Sequence, residues 1–147
     1  MRNPEFVKAA FSAIATRYVA TNHVLSMGVD LLWRQRVVQL VSEWKPKRLL
    51  DLATGTGDLA LASLRAMPEI RLTGSDFCQP MLDVAAERGL TNLVCADAMN
   101  LPFPSASYDA VTVAFGLRNM ASYPDALKEM GRMLRPGGHL LILDCSR

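Results

Sequence analysis

From Arg48 onward the chain repeats one pattern: a short apolar run, a turn of small and polar residues, then a segment with apolar residues at helical spacing. Five runs read as strands: Arg48–Ala53, Ile70–Asp76, Asn92–Ala98, Tyr108–Phe115 and His139–Cys145. Residues 57–66, 79–88 and 122–134 read as intervening helices. Leu101-Pro102-Phe103-Pro104 leaves room only for a loop, and Arg135-Pro136-Gly137-Gly138 reads as a turn into the last strand. Alternating strands and helices build a parallel sheet through right-handed crossovers, with helices on both faces. The expected fold is therefore an α/β three-layer sandwich around a parallel sheet of about five strands. Such sheets bind ligands beyond the carboxyl ends of their strands, where the strand order reverses. Polar residues gather at those ends: Asp51 to Gly57, Asp76, Asp97, and the stretch Phe115-Gly116-Leu117-Arg118-Asn119.

Residues 1–45 form a helical lead-in, and 46–147 an α/β body, within one domain. Phe6, Ala10, Phe11, Ile14 and Tyr18 fall at helical spacing, and Val24, Leu25 and Met27 continue the apolar face before Gly28. A longer helix then runs through Asp30-Leu31-Leu32-Trp33 to Val41 and Trp44, ending at Lys45-Pro46, because proline cannot continue a helix. Two readings of Leu25, Met27, Leu31, Leu32 and Trp33 stay open: core packing, or a face that guides an isoprenoid tail or touches a membrane surface.

A net charge of +2 and the lack of any basic run argue against nucleic acid as a partner. Cys78, Cys95 and Cys145 are odd in number, widely spaced and without a CxxC pair, so no zinc site or disulfide framework is expected and no metal is assigned. They read as reduced, buried thiols of an intracellular protein. The N-terminus lacks the apolar core of a signal peptide, and no run reaches the ~20 residues of a membrane span. The expected location is the cytoplasm, with peripheral contact at the inner membrane surface.

The turn Asp51-Leu52-Ala53-Thr54-Gly55-Thr56-Gly57-Asp58 carries the chemistry. Gly55-Thr56-Gly57-Asp58-Leu59-Ala60 fits GxGxxA, with Asp76 about 20 residues on, as in a dinucleotide fingerprint. The acids point elsewhere. A pyrophosphate would sit at the N-terminus of the following helix, where Asp58 and Asp51 would repel it. S-adenosyl-L-methionine has no phosphate and carries a sulfonium and an α-ammonium. Asp51 can meet the ammonium directly or through water. Glycines 55 and 57 let backbone approach the ligand. Asp76 can accept from both ribose hydroxyls, and Asp97-Ala98 can meet the adenine through a carboxylate and a backbone N–H. Phe77 and Met81 read either as core or as packing on the adenine face. Asp58 also reads as a helix cap, Asp97 as a loop residue bonding its own backbone, and Asp109 as structural.

Asp51-x-x-x-Gly55-x-Gly57, the acid at Asp76 and the turn Leu134-Arg135-Pro136-Gly137-Gly138 resemble class I S-adenosylmethionine-dependent methyltransferases. Phe115-Gly116-Leu117-Arg118-Asn119 is more specific. It resembles the ubiquinone/menaquinone biosynthesis C-methyltransferases, as do Phe11, Arg17-Tyr18, Asn22, Ser26, Gly28 and Trp33-Arg34. The resemblance covers nearly the whole chain. It implies a Rossmann-like fold and methyl transfer to a ring carbon of a polyprenylated quinol, a demethylmenaquinol or a methoxy-benzoquinol, leaving S-adenosyl-L-homocysteine. It places cofactor contacts at Thr56, Asp76, Asp97 and Ala98. A serine common in the family is Ala114 here, and the usual acid after Tyr18 is Val19, so neither role carries over. Carbon methylation needs an electron-rich ring. Arg118 can stabilise a quinol oxyanion, Asn119 can orient the hydroxyl or a water, and Tyr18 can close over the ring.

The family implies two further strands, one antiparallel, after Asp144-Cys145-Ser146-Arg147. Their absence is expected to leave the fifth strand at an edge, either in a fragment or in a homodimer joined through it. The alternatives to quinol methylation are a methyltransferase for another small lipophilic acceptor and a non-catalytic S-adenosylmethionine-binding subunit. An NAD-dependent oxidoreductase ranks last.

Overall fold

A computed structural model describes residues 27–114, 120 and 122–143. Its elements run α1 (Met27–Glu43), β1 (Arg48–Leu52), α2 (Asp58–Ala66), β2 (Arg71–Asp76), α3 (Gln79–Glu87), β3 (Leu93–Cys95), β4 (Tyr108–Ala114), α4 (Tyr123–Met133) and β5 (Leu134–Leu143). The five strands form one sheet in the order β3-β2-β1-β4-β5, every pair parallel. The order reverses between β1 and β4. A crevice at their carboxyl ends is the expected ligand seat of this topology.

Side-chain alternation divides the sheet between two cores. Leu50, Leu52, Val111, Val113, Leu140 and Ile142 face Met130 and Met133 of α4. Leu49, Ala110, Leu141 and Leu143 face the other way, with Val37 and Val41 of α1, Leu59 of α2 and Ala85 of α3. This is the expected three-layer arrangement. The central strands β1, β2 and β4 are buried on both faces, so β1 and β4 read as near-continuous apolar runs. Among the described residues, no helix is long and apolar enough to cross a membrane.

Several boundaries differ from expectation. The third strand shortens from 92–98 to Leu93–Cys95 because it is an outer strand that pairs with β2 alone. Beyond it, Asp97 and Asn100 form an isolated antiparallel bridge. The fifth strand begins at Leu134 rather than His139. Leu134 pairs with Tyr108, Arg135–Gly138 loops out as a register irregularity, and the ladder resumes at Ala110 with His139. The expected turn is therefore an insertion within the strand, with Gly137 in the left-handed region at φ 84°. Helix α1 begins at Met27 and passes through Gly28. Asp109 holds the structural role expected of it. Its Oδ2 accepts from the backbone N–H groups of Lys47 and Arg48 at 2.7 and 2.9 Å, and its Oδ1 pairs with Arg135. The cysteines depart from the buried reading: Cys78 is half-buried and Cys95 exposed. Cys145 lies outside the described residues.

The β3–β4 loop is hydrogen-bonded to α4. Arg132 donates to the carbonyls of Phe103 and Leu101 at 2.9 Å each, and Glu129 Oε2 accepts from Leu101 N at 2.6 Å. Trp44, after α1, stacks on His139 with ring centroids 4.5 Å apart.

The two glycines of the β1–α2 turn do different work. Gly57 is buried at φ 93°, and a Cβ there would stand 2.5 Å from Leu90 Cδ1 and 3.4 Å from the Ala85 Cβ. It allows the start of α2 to close on the end of α3. Gly57→Ala is expected to lower stability by about 1–3 kcal/mol, through overpacking and the disfavoured φ together. This would register as a lower urea midpoint at unchanged slope. An unchanged midpoint would mean that Leu90 moves aside at no cost.

Candidate functional site

Asp51 lies in β1 at the switch point, directly paired in register with Gly74 of β2 and Thr112 of β4. Residues opposite each other in neighbouring strands present side chains to the same face. The Thr112 hydroxyl accordingly donates to Asp51 Oδ1 at 2.7 Å. After the strand, Ala53 enters the left-handed region at φ 52°, and Thr54 N donates to Ser75 O at 3.0 Å. That turn folds the Thr54 hydroxyl back onto Asp51 Oδ2 at 2.7 Å. Gly74 makes the room. A Cβ there would stand 3.1 Å from Thr54 Oγ1 and 2.9 Å from Leu93 Cδ2.

The carboxylate so held is 2 % exposed. Burial pushes its pKa up from 3.8 to about 6; the Thr54 and Thr112 hydroxyls pull it down, and the charge of Asp76 adds to the rise.

Asp76 closes β2. Its Oδ2 accepts from Gly55 N at 2.8 Å and its Oδ1 from Cys78 N at 2.9 Å. Gly55 sits at φ 56°, and among the described residues a Cβ there would meet Met81 Sδ at 3.6 Å, an ordinary contact. Its glycine requirement is therefore conformational, and Gly55 lines both clefts.

Two adjoining clefts meet at Ala53, Gly55 and Met81. The smaller, about 270 Å³, is lined by Arg34, Asp51, Thr56, Asp58 and Ala114 among others. The larger, about 680 Å³, is walled by Asp76, Phe77, Cys78, Asp97, Ala98 and Met99, with Met120. Phe77 is 74 % exposed and Met81 45 % exposed, so both are cleft residues rather than core. Asp97 is exposed and its Oδ1 accepts from Met99 N at 2.9 Å. It bonds its own loop, and it also lines the cleft.

The expected set is therefore only partly brought together. Asp51, Gly55 and Thr56 line the smaller cleft; Gly55, Asp76, Phe77, Asp97 and Ala98 line the larger. Gly57 lines neither and sits tightly against Leu90. Asp58 makes no capping hydrogen bond, since α2 is capped by Gly57 without a side-chain bond. It is also not the bare negative charge assumed in rejecting a pyrophosphate. Arg88 pairs with it at 2.8 Å and Arg34 at 3.7 Å. Of the two acids that weigh against a dianion, Asp51 alone keeps its force. Tyr18, Arg118 and Asn119 lie outside the described residues.

The full chain, residues 1–147, matches the model of the ubiE/COQ5 methyltransferase family. The chain belongs to that family. It is 52% identical over 139 residues to a demethylmenaquinone methyltransferase of Thermus thermophilus, covering 91% of this chain and 63% of that protein. It is 40% identical over 147 residues to the ubiquinone/menaquinone biosynthesis C-methyltransferase UbiE of Bdellovibrio bacteriovorus, covering 97% of this chain and 63% of that one. The crystal structure of the YcgJ protein of Bacillus subtilis superposes with a TM-score of 0.64 at 27% identity, over 75% of this chain and 50% of that one. The chain thus spans less than two thirds of the length of these relatives.

Four site residues escaped the sequence reading. Thr54 lies inside the glycine turn, and a threonine facing the turn's acid was available as a signal. Gly74 and Thr112 are visible only once the strand register is known. Arg34 precedes the sheet in sequence, and no local pattern ties it to the turn.

The raised pKa has a consequence for folding. A rise from 3.8 to about 6 means that folded protein holds the Asp51 proton more tightly than unfolded chain. Stability from this group is therefore greatest below the unfolded value and declines as pH rises toward about 6, by about 3 kcal/mol in total. Asp51→Asn removes the titration. Urea unfolding of both proteins should show the variant gaining on the parent by about that amount between about pH 4 and pH 7. A difference independent of pH would dismiss the raised pKa.

Proposed function

We propose that the chain carries the cofactor site of an S-adenosyl-L-methionine-dependent C-methyltransferase whose acceptor is a polyprenylated quinol, a demethylmenaquinol or a methoxy-benzoquinol. Asp51 is the observation that carries this reading. A desolvated carboxylate lines a cleft beside Asp76 and the open backbone of Gly55. A cationic ligand group relieves that charge, whereas a pyrophosphate would add to it. Family membership supports methyl transfer, and the names of the relatives support a quinol acceptor.

The residues present fit the group. Each Asp76 oxygen accepts one backbone N–H and keeps acceptor capacity for a ribose hydroxyl. Phe77 and Met81 offer apolar surface for the adenine, Asp97 an acceptor for its amino group, and the Ala98 N–H a donor to a ring nitrogen. Thr56 has its carbonyl and hydroxyl tied to Arg88 at 2.9 and 3.4 Å, which steadies the turn. When bound, S-adenosylmethionine supplies a methyl group on a sulfonium and becomes S-adenosylhomocysteine. For the acceptor, Arg118 is assigned to stabilise the quinolate oxygen, Asn119 to orient that oxygen or a water, and Tyr18 to cover the ring.

Calorimetric titration should find S-adenosylhomocysteine bound and NAD not bound. Binding a cation to Asp51 requires the ionised form, so S-adenosylhomocysteine affinity should fall below about pH 6, by up to about tenfold per pH unit. Binding of NAD instead would reject the cofactor assignment. Methyl transfer to demethylmenaquinol or to a methoxy-benzoquinol would identify the ring. Arg118→Ala should then lower turnover by about 100-fold while leaving S-adenosylhomocysteine affinity unchanged. Equal turnover would remove Arg118 from the reaction.

A further inference from the structure

The wall of the larger cleft that carries Asp97, Ala98 and Met99 lies outside the five-stranded sheet. The chain leaves the sheet after Ala96 N donates to Asp76 O at 3.0 Å, and it rejoins at Tyr108. Asp97 closes a tight turn of its own: Met99 N donates to its Oδ1 and Asn100 N to its carbonyl, each at 2.9 Å. That turn fixes a local shape but not where the shape stands. Its anchor begins one residue later, at Leu101, and comes from α4. Glu129 Oε2 accepts from Leu101 N at 2.6 Å and Arg132 donates to Leu101 O at 2.9 Å, so both backbone groups of this residue are held. Arg132 also donates to Phe103 O at 2.9 Å, and its own carbonyl accepts from Ala106 N at 2.8 Å. The Leu101 side chain is buried in the core with Met130 and Met133 of the same helix.

The two α4 side chains are themselves joined. Arg132 Nε and Nη2 donate to the two oxygens of Glu129 at 2.7 and 2.8 Å, a two-pronged charge-assisted pair. A lysine could not take this place, because the planar fork of a guanidinium serves one carboxylate and two carbonyls at once. The same helix reaches the cleft by a second route: Met120, two residues before its Ser122 cap, lines that cleft as well. We propose that Glu129 and Arg132 are positioning residues for base recognition, holding the loop after β3 so that Asp97 and Ala98 select adenine over other purines. This rests on the S-adenosylmethionine reading above, in which Asp97 accepts from the adenine amino group and the Ala98 N–H meets a ring nitrogen. A carboxylate and an N–H tell bases apart only when held within about 0.5 Å of the right geometry. On the near side β3 supplies that constraint, through three residues paired with β2. On the far side it comes from α4.

Two ligands separate this role from a structural one. S-inosylhomocysteine differs from S-adenosylhomocysteine at the base alone: an oxo group replaces the amino group, and the adjacent ring nitrogen carries a proton. In calorimetric titrations of the full chain, the parent should prefer S-adenosylhomocysteine by about 10–100-fold, the range for a lost hydrogen bond to a charged group. Arg132→Gln should reduce that preference to within about threefold, with the loss falling on S-adenosylhomocysteine. Arg132→Lys should show the same loss, since it keeps the charge beside Glu129 without the fork. Glu129→Gln keeps an oxygen for Leu101 N but removes the ion pair. It should lose part of the preference, and it carries the test where an Arg132 variant does not fold. An unchanged preference in the folded variants would overturn the proposal. Equal weakening of both ligands would also overturn it, since that marks a general loosening rather than a misplaced base contact. A parent that binds both ligands equally would instead overturn the adenine contacts of Asp97 and Ala98, and a parent that binds neither would overturn the cofactor reading itself.

Discussion

Asp51 is a carboxylate kept out of water at the middle of a parallel sheet. Burying a charge is among the most unfavourable things a fold can do unless partners compensate for it. Here the described partners are two hydroxyls, from Thr54 and Thr112, each at 2.7 Å. Hydroxyls donate but carry no charge, so they satisfy geometry without neutralising the group. The carboxylate stays destabilised, and its pKa stands at about 6. A site with such a group is poised for a cation.

Much of the surrounding structure follows from placing those two hydroxyls. Thr112 reaches Asp51 because β4 lies beside β1 in register, which is also what creates the switch point. Thr54 reaches it because Ala53 turns the chain through a left-handed conformation and because Gly74 leaves space on the neighbouring strand. The second carboxylate, Asp76, fixes the same turn from the other side by accepting from Gly55 N. The two acids divide the work. Asp51 sets the electrostatics of the smaller cleft, and Asp76 holds the shape of the junction while exposing acceptors to the larger one.

The sheet, its strands and the position of the crevice are legible in the sequence because each arises from short-range pattern. Apolar runs of strand length, Lys45-Pro46 ending a helix and glycines in a turn are local signals. What resists reading depends on which distant residue arrives opposite. Gly55 and Gly57 look alike in sequence and both adopt positive φ, yet one opens onto the cleft and the other accommodates Leu90. Asp58 looks like an acid aimed at the ligand, and only the arrival of Arg88, thirty positions on, shows it to be paired. The loop Arg135–Gly138 looks like the turn before a strand because the pairing of Leu134 with Tyr108 is non-local.

The correction at Asp58 sharpens the choice of ligand rather than weakening it. Two carboxylates at the turn, both uncompensated, would make a purely cationic seat, and a zwitterionic amino acid would suffer repulsion at its carboxylate end. Pairing Asp58 with Arg88 and Arg34 offsets its negative charge on that side of the cleft. Asp51, deeper and held among the described residues by two hydroxyls, keeps its negative charge. The negative charge of the small cleft is therefore concentrated at Asp51. A single buried carboxylate matches a cationic ligand group, and a dinucleotide phosphate, negative throughout, would be repelled by it.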